Sequence, residues 1–90
     1  MAEADASAVR SIELTLMTRR DCPLCEDFHA ALLAWVGHHT GVDVRVVDVD
    51  NDPALAAHYG IQVPVLLHGT TAVCSVHFRA EPVTGLLARL

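Results

Sequence analysis

The chain has 90 residues, of which 52% are hydrophobic and 19% charged, a composition typical of one compact globular domain. Six arginines face eleven acidic residues, so the formal net charge is −5, which disfavours nucleic acid as a partner. Three cysteines are an odd number, whereas a secreted scaffold held by disulfides usually has an even number. The cysteines therefore indicate chemistry in a reducing compartment.

The first ten residues are acidic and rich in alanine, and we expect residues 1–10 to form a flexible N-terminus before one domain over residues 11–90. They lack the positive start and apolar run of a secretory signal. No later stretch reaches the ~18 consecutive apolar residues of a membrane span. The sequence thus predicts a cytoplasmic monomer with no membrane partner.

Alternating apolar residues predict a first strand over residues 11–17. Apolar residues at helical spacing then predict a helix over residues 23–38 that ends near Gly41. We expect the apolar stripe of this helix, including its tryptophan, to face the core. The stripe consists of Leu24, Phe28, Ala31, Leu32, Trp35 and Val36.

A valine-rich run over residues 42–49 predicts a buried parallel strand. Pro53 suits the first position of a short second helix that continues to Tyr59, with a short polar side chain before it as the cap. Asp48 and Asp50 flank the strand end, and we expect them to cap this helix.

Residues 63–68 and 72–77 are predicted to pair as an antiparallel hairpin around a turn at 69–71, and residues 81–90 form a last helix. The chain is therefore α/β in the order β-α-β-α-β-β-α. We expect a four-stranded mixed sheet in which right-handed crossovers make the first three strands parallel and the last antiparallel. Helices 1 and 3 should cover one face and helix 2 the other.

Two cysteines, Cys22 and Cys25, lie where the first strand gives way to the helix. Cys22 falls at the helix N-terminus, where unpaired N–H groups and the helix dipole favour a thiolate, so it is the expected attacking sulfur. Cys25 lies one turn inside, and we expect it to resolve a mixed disulfide formed at Cys22. Pro23 suits the first helical turn because its missing N–H would have no intrahelical partner.

Nearby charges act on the Cys22 sulfur in both directions. Arg19 and Arg20 favour a thiolate, and three exposed carboxylates oppose it through water. We expect the pKa of Cys22 to fall below the free-thiol value of ~8.5, because the helix N–H groups point at the sulfur. The opposing carboxylates are Asp21, Glu26 and Asp27.

Two other uses of the cysteine pair are open. It could form half of a zinc site, although the third cysteine, Cys74, is predicted in mid-strand and no second C-x-x-C or H-x₃₋₅-H pair follows at ligand spacing. It could also be a purely structural pair. We favour dithiol chemistry with no bound metal, and we expect Cys74 to be a small buried hydrophobic residue.

Three segments carry a resemblance to a known family: C-P-L-C at residues 22–25, D-P-A-L-A-A-H-Y-G at 52–60, and I-Q-V-P-V-L at 61–66. Together they resemble the small glutaredoxin-like proteins of the thioredoxin superfamily. The resemblance covers nearly all of residues 12–90. It implies the thioredoxin fold and a thiol–disulfide oxidoreductase that reduces protein disulfides or glutathione mixed disulfides and needs an external reductant.

The resemblance also implies the other parts of the site. In that superfamily the proline at the place of Pro64 follows a cis peptide bond beside the active cysteines, and the residue before it, here Val63, offers backbone groups to an extended substrate. The opposite interpretation is an ordinary trans proline that opens a strand. Pro23 and Leu24, inside the motif, are expected to contact substrate as well.

The chain departs from glutaredoxins at two places that normally contact glutathione. Leu24 replaces an aromatic residue inside the cysteine pair, and residues 79–82 replace a Gly-Gly-Asp turn. Arg19 or Arg20 could bind a glycyl carboxylate, or both could be solvated surface residues. No cofactor is expected to be bound, and the reductant could be glutathione, a thioredoxin reductase or another donor.

A second function belongs to a different class. The domain could be redox-inactive and use the edge at Val63 and Pro64 to hold a peptide or protein partner, because fold does not fix function. Two intact cysteines with a proline between them favour the enzyme.

Overall fold

The computed structural model describes residues 12–89, so the predicted flexible terminus and residue 11 lie outside the described residues. The elements follow the predicted order β-α-β-α-β-β-α. Among residues 12–89, none of the helices combines the length and the apolar character that crossing a membrane requires. The elements are β1 (Ile12–Thr18), α1 (Pro23–Val36), β2 (Val42–Asp48), a 3₁₀ turn (Val49–Asn51), α2 (Pro53–Tyr59), β3 (Val65–His68), β4 (Thr71–Ser75) and α3 (Ala80–Ala88).

The four strands form one mixed sheet in the order β2-β1-β3-β4. β1 runs parallel to β2 over its whole length, from Ile12 opposite Val42 to Thr18 opposite Asp48. β3 is antiparallel to β1, and β4 is antiparallel to β3. The fold class, a four-stranded mixed sheet with three helices in the order of the thioredoxin fold, is confirmed.

The expected direction of β3 is wrong, because β3 is antiparallel to β1 rather than parallel to it. A parallel third strand would need a connection that returns the chain to the opposite edge of the sheet. The seven-residue α2 is about 10 Å long, whereas seven residues of β1 span about 23 Å. The chain therefore enters β3 at the edge where β1 and β2 end.

Helices cover both faces of the sheet, as predicted. On one face, α1 and α3 pack over a cluster formed by Leu14, Leu16, Phe28, Leu32, Val42, Leu66, Cys74 and Val83. On the other face, Leu55 and Tyr59 of α2 pack against Met17, Val49, Val65 and Leu67. Trp35 is partly buried: it packs at the edge of the first cluster and stacks on His39 with 3.9 Å between ring centroids.

Helix α1 ends at Val36, earlier than predicted, with Gly37 as its C-cap. Its buried stripe consists of Cys25, Phe28 and Leu32, spaced three and four residues apart. Leu24 was expected in this stripe, but 43% of it is exposed because it lies in the first turn, between the two cysteines.

The hairpin is shorter than predicted at both ends. β3 begins at Val65, directly after Pro64, and β4 ends at Ser75 because the next residue, Val76, adopts a positive φ of 69°. Gly69 opens the two-residue turn with a φ of 64°, a conformation that glycine adopts at little cost.

Asp52 caps α2 by accepting a hydrogen bond from the N–H of Ala54 at 2.9 Å. The expectation that Asp48 and Asp50 cap this helix is wrong. Asp48 instead caps the 3₁₀ turn by accepting from the N–H of Asp50 at 2.9 Å, because that extra turn lies between the strand and α2. The carboxylate of Asp50 is therefore free to turn toward β1.

Neighbouring leucines on α1 test the assignment of its buried face. Leu32 is fully buried, whereas 49% of Leu33 is exposed. Replacing Leu32 with alanine should lower the free energy of unfolding by about 2–5 kcal/mol, because it opens a cavity between α1 and the sheet. Leu33→Ala is the matched control and should change it by less than about 0.5 kcal/mol. Urea unfolding measures both, and equal losses would contradict the assigned helix face.

Candidate functional site

Cys22 occupies the N-cap of α1, in an extended conformation, and Pro23 begins the helix. The N–H of Cys25 donates a hydrogen bond to the Sγ of Cys22 at 3.2 Å, and the N–H of Glu26 donates to the Cys22 carbonyl at 3.1 Å. N–H groups in the first turn of a helix have no intrahelical acceptor. The Cys22 sulfur thus takes the place that a serine or aspartate oxygen fills at other helix starts.

Cys22 and Cys25 form a disulfide across the first turn of α1, with 5.2 Å between their Cα atoms. The two residues differ in exposure: Cys22 is half-buried, whereas only 3% of Cys25 is exposed. This difference follows from the helix, because Cys25 lies three residues before Phe28 on the stripe that faces the sheet. One sulfur can meet a partner from solvent, and the other is held behind it.

The Val63–Pro64 peptide bond is cis, which is the geometry that the resemblance implies. Pro64 is buried and Val63 is half-buried. The sheet brings this bond to the same edge as the cysteines, because Val65 pairs with Met17, five residues before Cys22. The carbonyl of Pro64 accepts a hydrogen bond from the N–H of Val76 at 2.9 Å.

Arg19 joins two distant loops at this edge. Its Nε and Nη2 atoms donate to the two carboxylate oxygens of Asp50, each at 3.0 Å, and its Nη1 donates to the carbonyl of Gly60 at 3.1 Å. The hydrogen bond and the charge of the Arg19 guanidinium hold the pKa of Asp50 below its ordinary value. Asp50 in turn raises the pKa of Arg19. These bonds use three of the five guanidinium N–H groups of Arg19.

Arg20 is more loosely held than Arg19. Its Nε lies 3.8 Å from a carboxylate oxygen of Asp48, and 87% of its side chain is exposed. The two arginines were expected to play the same role, but their surroundings differ. Arg19 is part of the fold, and Arg20 extends into solvent.

Gly60 closes the contact between Arg19 and the end of α2. A Cβ at this position would collide with the carbonyl oxygen of Ala56 and would lie 3.0 Å from Nη2 of Arg19. The missing side chain therefore lets the guanidinium approach the Gly60 carbonyl, which immediately precedes the segment leading to Val63.

A shallow cleft of about 130 Å³ opens beside Cys25. Among its walls are Arg19 at one end of β1 and Val46 on the neighbouring strand. The third cysteine, Cys74, is buried in the core on β4, and its thiol lies 4.0 Å from the carbonyl of Arg79. In the part of the chain that the structure describes, no three histidine, cysteine, aspartate or glutamate side chains are grouped so as to hold a metal ion.

A family model described as Glutaredoxin-like domain (DUF836) matches residues 13–88. The chain belongs to this glutaredoxin-like family. Among curated proteins, none matches it. The X-ray structure of the structural-genomics target protein XcR50 from X. campestris is 31% identical, covers 86% of this chain and 97% of its own, and superposes with a TM-score of 0.62.

Thioredoxins resemble the glutaredoxin-like domain in fold. A mutant thioredoxin from Halobacterium salinarum is 23% identical over 94% of this chain and 79% of its own, with a TM-score of 0.57. Oxidized thioredoxin O2 from Arabidopsis thaliana is 18% identical over 99% of this chain and 87% of its own, with a TM-score of 0.56. At this identity the likeness supports the thioredoxin fold alone.

The structure brings Cys22, Pro23, Leu24 and Cys25 together in the first turn of α1 and places Val63 and Pro64 at the same edge of the sheet. Two parts of this edge were not predicted from the sequence: the left-handed Val76 and the hydrogen bond from Arg19 to Gly60. An alternation of apolar residues cannot reveal a left-handed valine. The arginine and its acceptor are 41 residues apart, so local patterns carry no signal for the pair.

The pairing of Asp50 with Arg19 predicts a pH-dependent contribution to stability. Because the folded-state pKa of Asp50 is lowered, the contribution is present above the unfolded-state pKa of about 3.9 and is lost as the pH falls through the lower folded-state value. Asp50→Asn should therefore be less stable than the wild type at pH 7, and the difference should shrink below about pH 4.

Urea unfolding at intervals between pH 7 and pH 3 measures this difference. Asp43→Asn, which changes an exposed carboxylate on β2 rather than in the 3₁₀ turn, is the matched control. A deficit in Asp50→Asn that stays the same over this range would contradict the proposed electrostatic pairing.

Proposed function

We propose that this glutaredoxin-like domain is a thiol–disulfide oxidoreductase in which Cys22 and Cys25 reduce disulfides of proteins or mixed disulfides with glutathione. The observation that carries the proposal is the unequal placement of two sulfurs in one disulfide. Cys22 is half-buried at the start of a helix, and Cys25 is buried one turn behind it. A close cysteine pair in a thioredoxin-fold domain fits a redox role.

The reaction begins from the reduced dithiol. The Cys22 thiolate attacks one sulfur of the substrate disulfide, so that a Cys22–substrate bond forms and the other substrate sulfur leaves as a thiolate that takes up a proton. The N–H of Cys25, which points at the Cys22 sulfur, stabilises negative charge there. This arrangement supports Cys22 as the nucleophile.

The second step releases the product. The Cys25 thiol gives up its proton and attacks the Cys22 sulfur, which breaks the mixed disulfide, frees the second substrate thiol and leaves the Cys22–Cys25 disulfide. The substrate has gained two electrons and two protons, and the domain has lost them. An external thiol reductant, glutathione or a dithiol protein, must return them before the next cycle.

The surroundings of the dithiol support roles in binding. Val63 precedes the cis bond at the edge beside the cysteines, and we propose that its backbone groups hold an extended substrate chain. Pro23 and Leu24 are both exposed beside the sulfurs and are proposed to contact the substrate. We propose that Arg20 contacts the substrate rather than Arg19, because the donors of Arg19 are bound to Asp50 and Gly60.

The competing function, a binding module with inert cysteines, would use the same edge at Val63 and Pro64. A binding module with inert cysteines would require neither an exposed sulfur nor an N–H group directed at that sulfur. A zinc site would need further ligands near the pair.

The test is the reduction of insulin and of a glutathione mixed disulfide by the wild type, Cys22→Ser and Cys25→Ser. We expect Cys22→Ser to lose activity on both substrates, because the attacking sulfur is gone. Cys25→Ser should stall on insulin as a trapped mixed disulfide, because no internal thiol can resolve it. Cys74→Ser, which alters a thiol in the core away from the pair, is the matched control for cysteine loss.

Two results would refute the proposal. One is a wild-type protein that is inactive on both substrates, and the other is full activity in Cys22→Ser. An inert protein purified with one equivalent of zinc would favour the metal site instead.

A further inference from the structure

Three exposed hydrophobic side chains surround the dithiol edge of the sheet. Residues 12–89 expose five large hydrophobic side chains, and Leu24, Ile61 and Val76 are three of them. Leu24 lies between the cysteines, Ile61 precedes the cis bond, and Val76 follows β4 where Ser75 pairs with Val65. The topology therefore collects these side chains, here called the apolar rim, at one end of the sheet.

Ile61 is the most exposed member of the apolar rim, with 98% of its surface open to solvent. Its segment is nevertheless held at both sides. The carbonyl of Gly60 is bound by Arg19 at 3.1 Å, and the N–H of Gln62 donates to the carbonyl of Tyr59 at 2.7 Å. A large apolar side chain on an anchored backbone gains nothing for the fold when it is left in water.

Val76 is held in a left-handed conformation that disfavours a β-branched residue. Its N–H is bound to the Pro64 carbonyl, and Phe78, two residues on, packs edge-on against Phe28 with 5.7 Å between ring centroids. The fold imposes this φ from both sides. Glycine would adopt it freely, whereas this position carries a valine of which 42% is exposed. Such outliers concentrate at functional sites.

The charges at this edge disfavour a small anionic ligand such as glutathione, which carries two carboxylates and one ammonium group. Arg19 is bound to Asp50, and Arg20, although exposed, has the carboxylate of Asp48 within 3.8 Å, so each of these cations has an acidic residue beside it. Arg79, at the start of α3, is an exposed cation that would attract an anion, but the carboxylates beside the cysteines outnumber it. Exposed carboxylates adjoin the cysteines and would repel an anion. They are Asp21, Glu26 and Asp27.

We propose that the apolar rim selects the substrate of this site, a protein disulfide flanked by apolar residues, in preference to glutathione. The inference rests on the proposed function, because the rim can select only if the dithiol reacts. A segment with apolar side chains would cover Ile61 and Val76 while its backbone lies along Val63 and its sulfur meets Cys22. Removing such apolar surface from water favours binding.

The experiment compares three disulfides: a neutral peptide with leucine and valine beside its cysteine, the same peptide with serines there, and glutathione disulfide. Neutral 2-hydroxyethyl disulfide reports the reactivity of the dithiol itself. We expect the wild type to prefer the apolar peptide to the serine peptide by roughly tenfold in kcat/KM, mainly through KM, and to use glutathione disulfide least.

Ile61→Ser and Val76→Gly test the apolar rim directly. Each should lower the ratio of kcat/KM for the apolar peptide to that for 2-hydroxyethyl disulfide by roughly three- to tenfold. Leu33→Ser, at an exposed leucine on the solvent side of α1, is the matched control and should leave the ratio unchanged.

The failures are distinguishable. A wild type that reacts with 2-hydroxyethyl disulfide but treats both peptides alike, or prefers glutathione disulfide, overturns the inference and leaves the proposed function intact. No reaction with 2-hydroxyethyl disulfide refutes the proposed function itself. An unchanged ratio in both Ile61→Ser and Val76→Gly would likewise overturn the role of the apolar rim in selection.

Discussion

The hydrogen bond from the N–H of Cys25 to the sulfur of Cys22 depends on the position of one helix. Phe28 and Leu32 fix the rotation of α1 by packing into the core, and this rotation buries Cys25 while it leaves Cys22 at the N-cap. A free backbone donor is then directed at the outer sulfur. The unequal exposure and hydrogen bonding of the two sulfurs are therefore a consequence of ordinary helix packing.

The segment with Val63 and Pro64, which lies at the same edge as the cysteines, is held by the contacts of one arginine. Arg19 ties the end of β1 to the 3₁₀ turn through Asp50 and to the end of α2 through the carbonyl of Gly60. The chain continues from there to Val63 and Pro64. An arginine three residues before a cysteine pair would ordinarily suggest an anion ligand. Here its donors position the loop that borders the dithiol.

Local patterns in the sequence predict those parts of the fold that depend on neighbours in the chain. The order of elements, the helix faces and the position of Cys22 and Cys25 follow from apolar spacing and from a strand-to-helix junction. The direction of β3 could not be predicted from such local patterns, because it depends on how far α2 carries the chain. The left-handed conformation of Val76 could not be predicted either, because its φ is imposed by contacts with residues distant in the sequence.

The most direct measurement of the asymmetry is the order in which the three thiols react. The fully reduced chain is treated with a limiting amount of iodoacetamide at neutral pH, and the modified cysteines are identified by peptide mapping. Our account predicts that Cys22 is modified well before Cys25 and Cys74, because it alone is partly exposed. Modification of Cys25 or Cys74 as fast as Cys22 would contradict it.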